Sequence, residues 1–129
     1  MIDTNAIIRS HLAADTGLIA LVGARIYTPR LPEGATLPAL GFFTRGGTSN
    51  PYIPGMPAPS VQFDCWDDNP IGAREVYRAL YDALQGIQNT AVGSNYIMSA
   101  IEEVQGQDLV DAEISGYFRV LCFYSIIMR

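Results

Sequence analysis

Lysine is absent from this 129-residue sequence, which holds one histidine, one tryptophan and two cysteines. Eight arginines stand against thirteen acidic residues, for a formal charge of −5. The chain therefore lacks the basic surplus with which proteins grip a phosphate backbone through counterion release, and tight nucleic-acid binding is not expected. An acidic wall that lets DNA pass without holding it is compatible with the same charge. Long apolar runs are missing too: a membrane-spanning helix needs roughly 18 such residues, and the longest stretch here, Tyr117 to Met128, is broken by Arg119 and Ser125. No membrane partner is expected. Met1 to Asn5 lack the basic and apolar regions of a secretion signal, so the chain is expected to be made and kept in the cytoplasm.

Charge is sparse at 16%, against 49% apolar residues, which is the reverse of a disordered composition. The length suits one core, so a single folded domain over residues 1–129 is expected. Cys65 and Cys122 lie inside apolar strand patterns, where a thiol behaves as a small hydrophobe; free buried thiols are expected rather than a disulfide.

Residues capable of chemistry are equally scarce. His11 stands on a helical pattern with no serine or cysteine nucleophile at a recognisable spacing, and it receives no role. Two distant cysteines and one histidine do not make a zinc ligand set. Asp64, Asp67, Asp68 and Glu75 are the one cluster that could hold a divalent cation, which would suit a small metal-dependent nuclease. The simpler reading puts Asp67, Asp68 and Glu75 around a helix N-terminus, where the helix dipole favours negative charge. Arg45-Gly46-Gly47-Thr48-Ser49 lacks the spacing and the lysine of a phosphate-binding loop. No enzyme, cofactor or metal is expected.

The local pattern predicts an α+β fold: a mainly antiparallel sheet of about four strands, with an N-terminal helix and one long amphipathic helix packed on it. Asp3 can cap a helix running to about Ala14, and Asp15-Thr16 a short second one ending at Gly23. Arg25 to Tyr27 is a brief extended piece, and a strand covers Ala39 to Thr44. Arg45 to Pro59 holds three glycines and four prolines and reads as the longest loop. From Ser60, Val61, Phe63 and Cys65 alternate with Gln62, Asp64 and Trp66, as in a half-buried strand. Asn69 and Pro70 start the long helix, with Ala73, Val76, Tyr77, Leu80, Ala83, Leu84 and Ile87 on its apolar stripe. After a turn near Asn89 to Asn95, Tyr96 to Val104 and Gly116 to Met128 read as two antiparallel strands joined by a link carrying Gly106 and Asp108.

The last strand is apolar on both faces, with Val120, Cys122, Tyr124 and Ile126 on one and Tyr117, Leu121, Phe123 and Ile127 on the other. The helices can cover one side; a partner surface, or a sheet curved over itself, must cover the other. Apolar residues of the long loop either mark a contact surface or fold back on their own domain. The residues expected to meet a neighbouring subunit are Arg45, Tyr52, Ile53, Met56, Trp66, Tyr117 and Phe123.

Several segments, taken in order, resemble the tail-terminator or tail-completion family of long-tailed bacteriophages. They are a leading helix, Leu18-Ile19-Ala20-Leu21-Val22-Gly23-Ala24-Arg25-Ile26-Tyr27, Leu37-Pro38-Ala39-Leu40 opening a strand, Val61-Gln62-Phe63-Asp64-Cys65-Trp66, the helix from Pro70 to Leu84, and the strand from Tyr117 to Tyr124. The resemblance implies an α+β virion subunit assembled in the host cytoplasm into a ring, typically a hexamer, at the head-proximal end of the tail. Its partners would be copies of itself, the tail tube protein and the head connector or stopper, with DNA passing through unbound. A compact chain of this length has a radius of gyration of about 14 Å, so six touching copies leave a hole roughly 36 Å wide. Other readings are a different connector or stopper subunit of the same particles, the small nuclease using Asp64, Asp67 and Asp68, and a cellular adaptor that is a monomer or dimer.

Overall fold

Short acidic and amide side chains set where the helices begin. Asp3 accepts a hydrogen bond from the Ala6 amide at 3.1 Å and opens α1 (Thr4–Ala13), and Asp15 accepts from Leu18 at 2.9 Å and opens α2 (Thr16–Val22). Asn69 accepts from the Gly72 amide at 2.6 Å and opens α3 (Pro70–Leu84), with Pro70 in the first turn, where its missing N–H costs nothing. All three caps agree with the sequence pattern. A computed structural model describes residues 2–49, 52–53, 55–110 and 116–129.

Six strands form one sheet: β1 (Ile26–Tyr27), β2 (Ala39–Thr48), β3 (Ala58–Asp67), β4 (Gln88–Val92), β5 (Asn95–Val110) and β6 (Phe118–Met128), in the order β1-β2-β3-β6-β5-β4. Only the short β1–β2 pair is parallel. The α+β, mainly antiparallel expectation therefore stands, but the count of about four strands is corrected to six. β1 adds a two-residue edge, and the region read as a turn near Asn89 is β4, hairpinned to β5.

Two boundaries also move. β2 continues through Arg45, Gly46 and Gly47 to Thr48, and β3 starts at Ala58, so the loop expected over Arg45 to Pro59 is cut back to the connection 49–57, of which residues 50, 51 and 54 lie outside the described residues. The register slips between Thr44 and Gly47, and Gly47 has φ +133° with the Ala58 and Pro59 backbone pressed against it; a glycine bulge, not a loop, explains the composition. β5 likewise runs on through Gly106 and Asp108, read earlier as a link. A Cβ on Gly106 would lie 2.8 Å from both Tyr77 Cζ and Val120 Cγ1, so this glycine permits close packing inside a strand.

The three helices share one core with one face of the sheet. Val76, Tyr77, Leu80 and Leu84 of α3 pack with Phe63 and Cys65 of β3 and with Val120, Cys122 and Tyr124 of β6. The Phe63 ring stands 5.6 Å from Phe42 and 5.6 Å, edge-on, from Tyr124. Each such side chain contributes about 1.5–3 kcal/mol when withdrawn from water. β5 outruns β4, and α3 partners the edge left behind. Gln85 Oε1 accepts from the Glu102 amide at 2.8 Å, and the Tyr77 hydroxyl accepts from Gly106 at 3.2 Å while donating to Glu102 at 2.6 Å. His11, on α1, bonds the Ala83 carbonyl at 2.9 Å and ties the first helix to the third.

Candidate interaction surface

Strand alternation decides which side chains lie opposite the helices. On β6, Val120, Cys122, Tyr124, Ile126 and Met128 are buried, while Arg119, Leu121, Phe123, Ser125 and Ile127 point the other way and are each half-buried. Directly across on β5, Ile101 pairs with Ser125 and Val104 with Phe123. These two are 56% and 37% exposed. On the other side, Gln62, Asp64 and Trp66 of β3 and Phe43 of β2 continue the same face. Among the described residues, every helix lies on the Cys122 side, so this second face has no helical cover.

Arginines lie on the aromatic rings of this face. The Arg45 guanidinium stands 3.9 Å from the centre of the Phe123 ring, and that of Arg119 stands 5.2 Å from Trp66. Trp66 meets Tyr117 edge-on at 6.2 Å. Arg119 also reaches the Asp64 carboxylate at 3.4 Å, where Gln62 Nε2 donates at 3.4 Å. Burial pushes the Asp64 carboxyl above its usual range, and the opposing pull of Arg119 and Gln62 does not fully offset it.

Two concavities close the ends of the face. One, of about 400 Å³, is lined by Thr48, Tyr52, Ile53, Met56, Ala58 and Ile127. Tyr52 there is 90% exposed and Ile53 47%. The other, of about 540 Å³, lies between the 30–34 segment and the Trp66–Tyr117 pair. Gly41 of β2 lies beside both: a Cβ there would sit 3.5 Å from the Leu31 nitrogen and 3.9 Å from Trp66 Nε1, at ordinary contact distance.

The seven residues singled out in the sequence thus fall on one face of the sheet. Tyr52, Ile53 and Met56 line the concavity at one end, Arg45 covers Phe123 at the middle of β6, and Trp66 and Tyr117 lie at the other end. Leu121, Ile101, Val104 and the Asp64–Arg119 pair share that face and were not among them. The β6 alternation already marked Leu121, whereas Ile101 and Val104 needed the β5–β6 register, with its bulges, to be placed.

The acidic cluster is divided, with Asp64 apart from the group at the start of α3. Asp64 faces Arg119; Asp67 accepts from the Asp68 amide at 2.7 Å and abuts Gly72 in the first turn of α3; Asp68 accepts from Asn69 at 2.9 Å. Among the described residues no group of three or more His, Cys, Asp or Glu side chains is arranged to hold a metal ion. Cys65 and Cys122 are free and buried on the helix side, one strand apart. No described helix is long and apolar enough to cross a membrane.

No protein-family model and no curated protein matches the sequence. A solved structure does match the fold. The chain superposes on one from the virion of a native gene transfer agent particle with a TM-score of 0.68 and 16% identity, covering 98% of this chain and 95% of that one. The two share a fold from end to end.

Proposed function

We propose that this chain is a structural virion subunit, and within that class a tail terminator. It would form a ring, hexameric by the family resemblance, that caps the tail tube at its head-proximal end and joins it to the head connector. The observation that carries the reading is the end-to-end likeness to a chain of a gene transfer agent virion. Two features of this chain support it. A sheet face bearing Leu121, Phe123, Ile101 and Val104 opposite the helices is a surface for a neighbour. Asp64, Asp67 and Asp68 are occupied by an arginine and by a helix start, which suits a role that needs no reaction.

Heterologous contact, repeated around an axis, closes a ring when the rotation per subunit divides a full turn. Negative-stain imaging of the purified protein, and of tails assembled with and without it, tests the proposal. Closed rings and a cap at one end of the tube are expected. Tails of normal length that join heads without the protein would remove the terminator role, and a position between connector and tube would make it a stopper instead.

A further inference from the structure

Arg45 leaves β2 at the glycine bulge and crosses β3 to lay its guanidinium on Phe123 of β6, 3.9 Å from the ring centre. Phe123 stands in one row across the sheet with Phe43, Gln62 and Val104, so the cation rests in the middle of the open face. The ring holds one flat side of the guanidinium and leaves the N–H donors around its rim unused. Among the described residues none of these donors meets an acceptor. The two ion pairs there are Arg74–Asp108 and Arg119–Asp64, and Glu103 of β5 accepts from Ser60 at 2.9 Å instead. A planar fork of donors, already fixed by stacking, suits a carboxylate, which can take two parallel N–H bonds. An arginine held on an aromatic ring within an apolar surround is also the kind of residue that dominates a subunit contact.

The chain has few carboxylates free to fill that fork. Among the described residues, Glu33, Glu75 and Asp82 accept no hydrogen bond and join no ion pair. Glu75 and Asp82 belong to α3, on the other side of the sheet, and Arg78 stands three or four residues from each along the helix. Glu33 lies on the open side. It is exposed at the tip of a turn, which the Ala35 amide closes by donating to the Pro32 carbonyl at 3.2 Å with Gly34 at φ +74°, beside Trp66 and Tyr117. Trp66 is four strand positions, about 13 Å, from Gln62 in the Phe123 row. Within one chain Arg45 and Glu33 stay unpaired; between copies they are complementary. A cation at mid-face and an acid near the end are unlike surfaces, and contact between unlike surfaces propagates around a ring.

We infer that the Glu33 carboxylate of one copy pairs with the Arg45 guanidinium of the next. This rests on the self-assembly reading above and names the two side chains that meet. Two full-length variants isolate a single contact: Glu33→Arg keeps the Arg45 site and loses the acid, and Arg45→Ala keeps the acid and loses the site. Both positions are exposed, so each variant should unfold at the wild-type temperature. Each should self-associate at least tenfold more weakly than wild type, by light scattering across a concentration series. Titrating isotope-labelled Glu33→Arg with unlabelled Arg45→Ala should shift the Arg45 Nε–H resonance saturably. The double variant Arg45→Ala/Glu33→Gln, in place of Arg45→Ala, should bind at least tenfold more weakly.

No shift at millimolar partner, or equal shifts with and without the Glu33 carboxylate, would overturn the contact. Light scattering separates this from failure of the ring itself. Single variants that close into the same oligomers as the wild type remove the contact and leave self-assembly standing. Saturable, Glu33-dependent binding between the two variants, when the wild type never closes alone or on tails, supports the contact and removes the ring.

Discussion

The Asp64 carboxylate on β3 meets the Arg119 guanidinium on β6 diagonally, at 3.4 Å, because Arg119 lies directly opposite Trp66 and two residues out of step with Asp64. The pair sits on the face away from the helices, with the Arg119 side chain 34% exposed and that of Asp64 12%. Burial dominates, so the folded carboxyl titrates above its ordinary value of 3.8. The folded state then holds the proton more tightly than the unfolded one, and stability contributed by protonated Asp64 is lost as pH rises through the folded value. Asp64→Asn carries no such dependence. Its stability relative to wild type should increase between pH 3.5 and neutrality, as urea unfolding followed by Trp66 fluorescence would record. A difference that is flat with pH, or that runs the other way, would contradict this assignment.

Gly106 offers a sharper test of packing. An added methyl there would strike both Tyr77 and Val120 at 2.8 Å. The ring cannot swing away without releasing the hydroxyl that donates to Glu102 and accepts from the Gly106 amide. Gly106→Ala should therefore cost about 1–3 kcal/mol, the usual range for overpacking a filled site. Thermal unfolding of the purified variant measures it, and a loss under about 0.5 kcal/mol, the level of a neutral surface change, would show that the strand relaxes freely.

How much of this was readable from the residues depends on whether a feature is local. The caps at Asp3, Asp15 and Asn69, the stripe of α3 and the alternation of β3 are local, and they appear where the sequence places them. β4 was missed because Gln88-Asn89-Thr90 is polar and Asn89 takes a positive φ of 48°, so its turn-like residues hide a strand defined by its partner. Gly47 and Gly106 were read as loop glycines, yet each lets one piece of backbone or ring pass close to another, which only tertiary structure reveals. The two-faced apolar pattern of β6 was legible; the diagonal meeting of Asp64 with Arg119 required a register that no single segment contains.

The cysteines should be silent in the folded protein. Both are fully buried, and burial pushes each thiol well above its usual range, so almost no thiolate is available to react. An aromatic disulfide reagent at pH 8 should label neither Cys65 nor Cys122 on the time scale of its reaction with free cysteine, and should label both on addition of denaturant. Rapid labelling of one thiol under native conditions would mean that the sheet opens locally near β3 or β6.

Ile101 tests the open face without touching the core. It is 56% exposed, opposite Ser125, and has no role in the helix-side packing. Ile101→Asp should leave the unfolding free energy within about 0.5 kcal/mol of wild type, as surface substitutions generally do. If the face is a subunit interface, the same change sets a charge in its apolar centre and should weaken self-association at least tenfold, measured by light scattering across a concentration series. Unchanged association would move the interface elsewhere on the molecule.

Shortening the loop separates assembly from folding. The connection 49–57 joins two paired strands, and Tyr52 within it is 90% exposed. Replacing the segment by a short glycine-containing turn should keep the β2–β3 register, because pairing from Ala39 with Trp66 to Thr48 with Ala58 is set by the strands themselves. Loop length adds little to stability, since each doubling costs only about 0.6 kcal/mol in closure entropy. The variant should therefore fold with a near-normal melting temperature and, if the chain acts as the proposed terminator, fail to join heads to tails in an assembly reaction. Particles of normal number and infectivity from the shortened chain would show that the loop contacts neither a neighbouring copy nor the tube or connector.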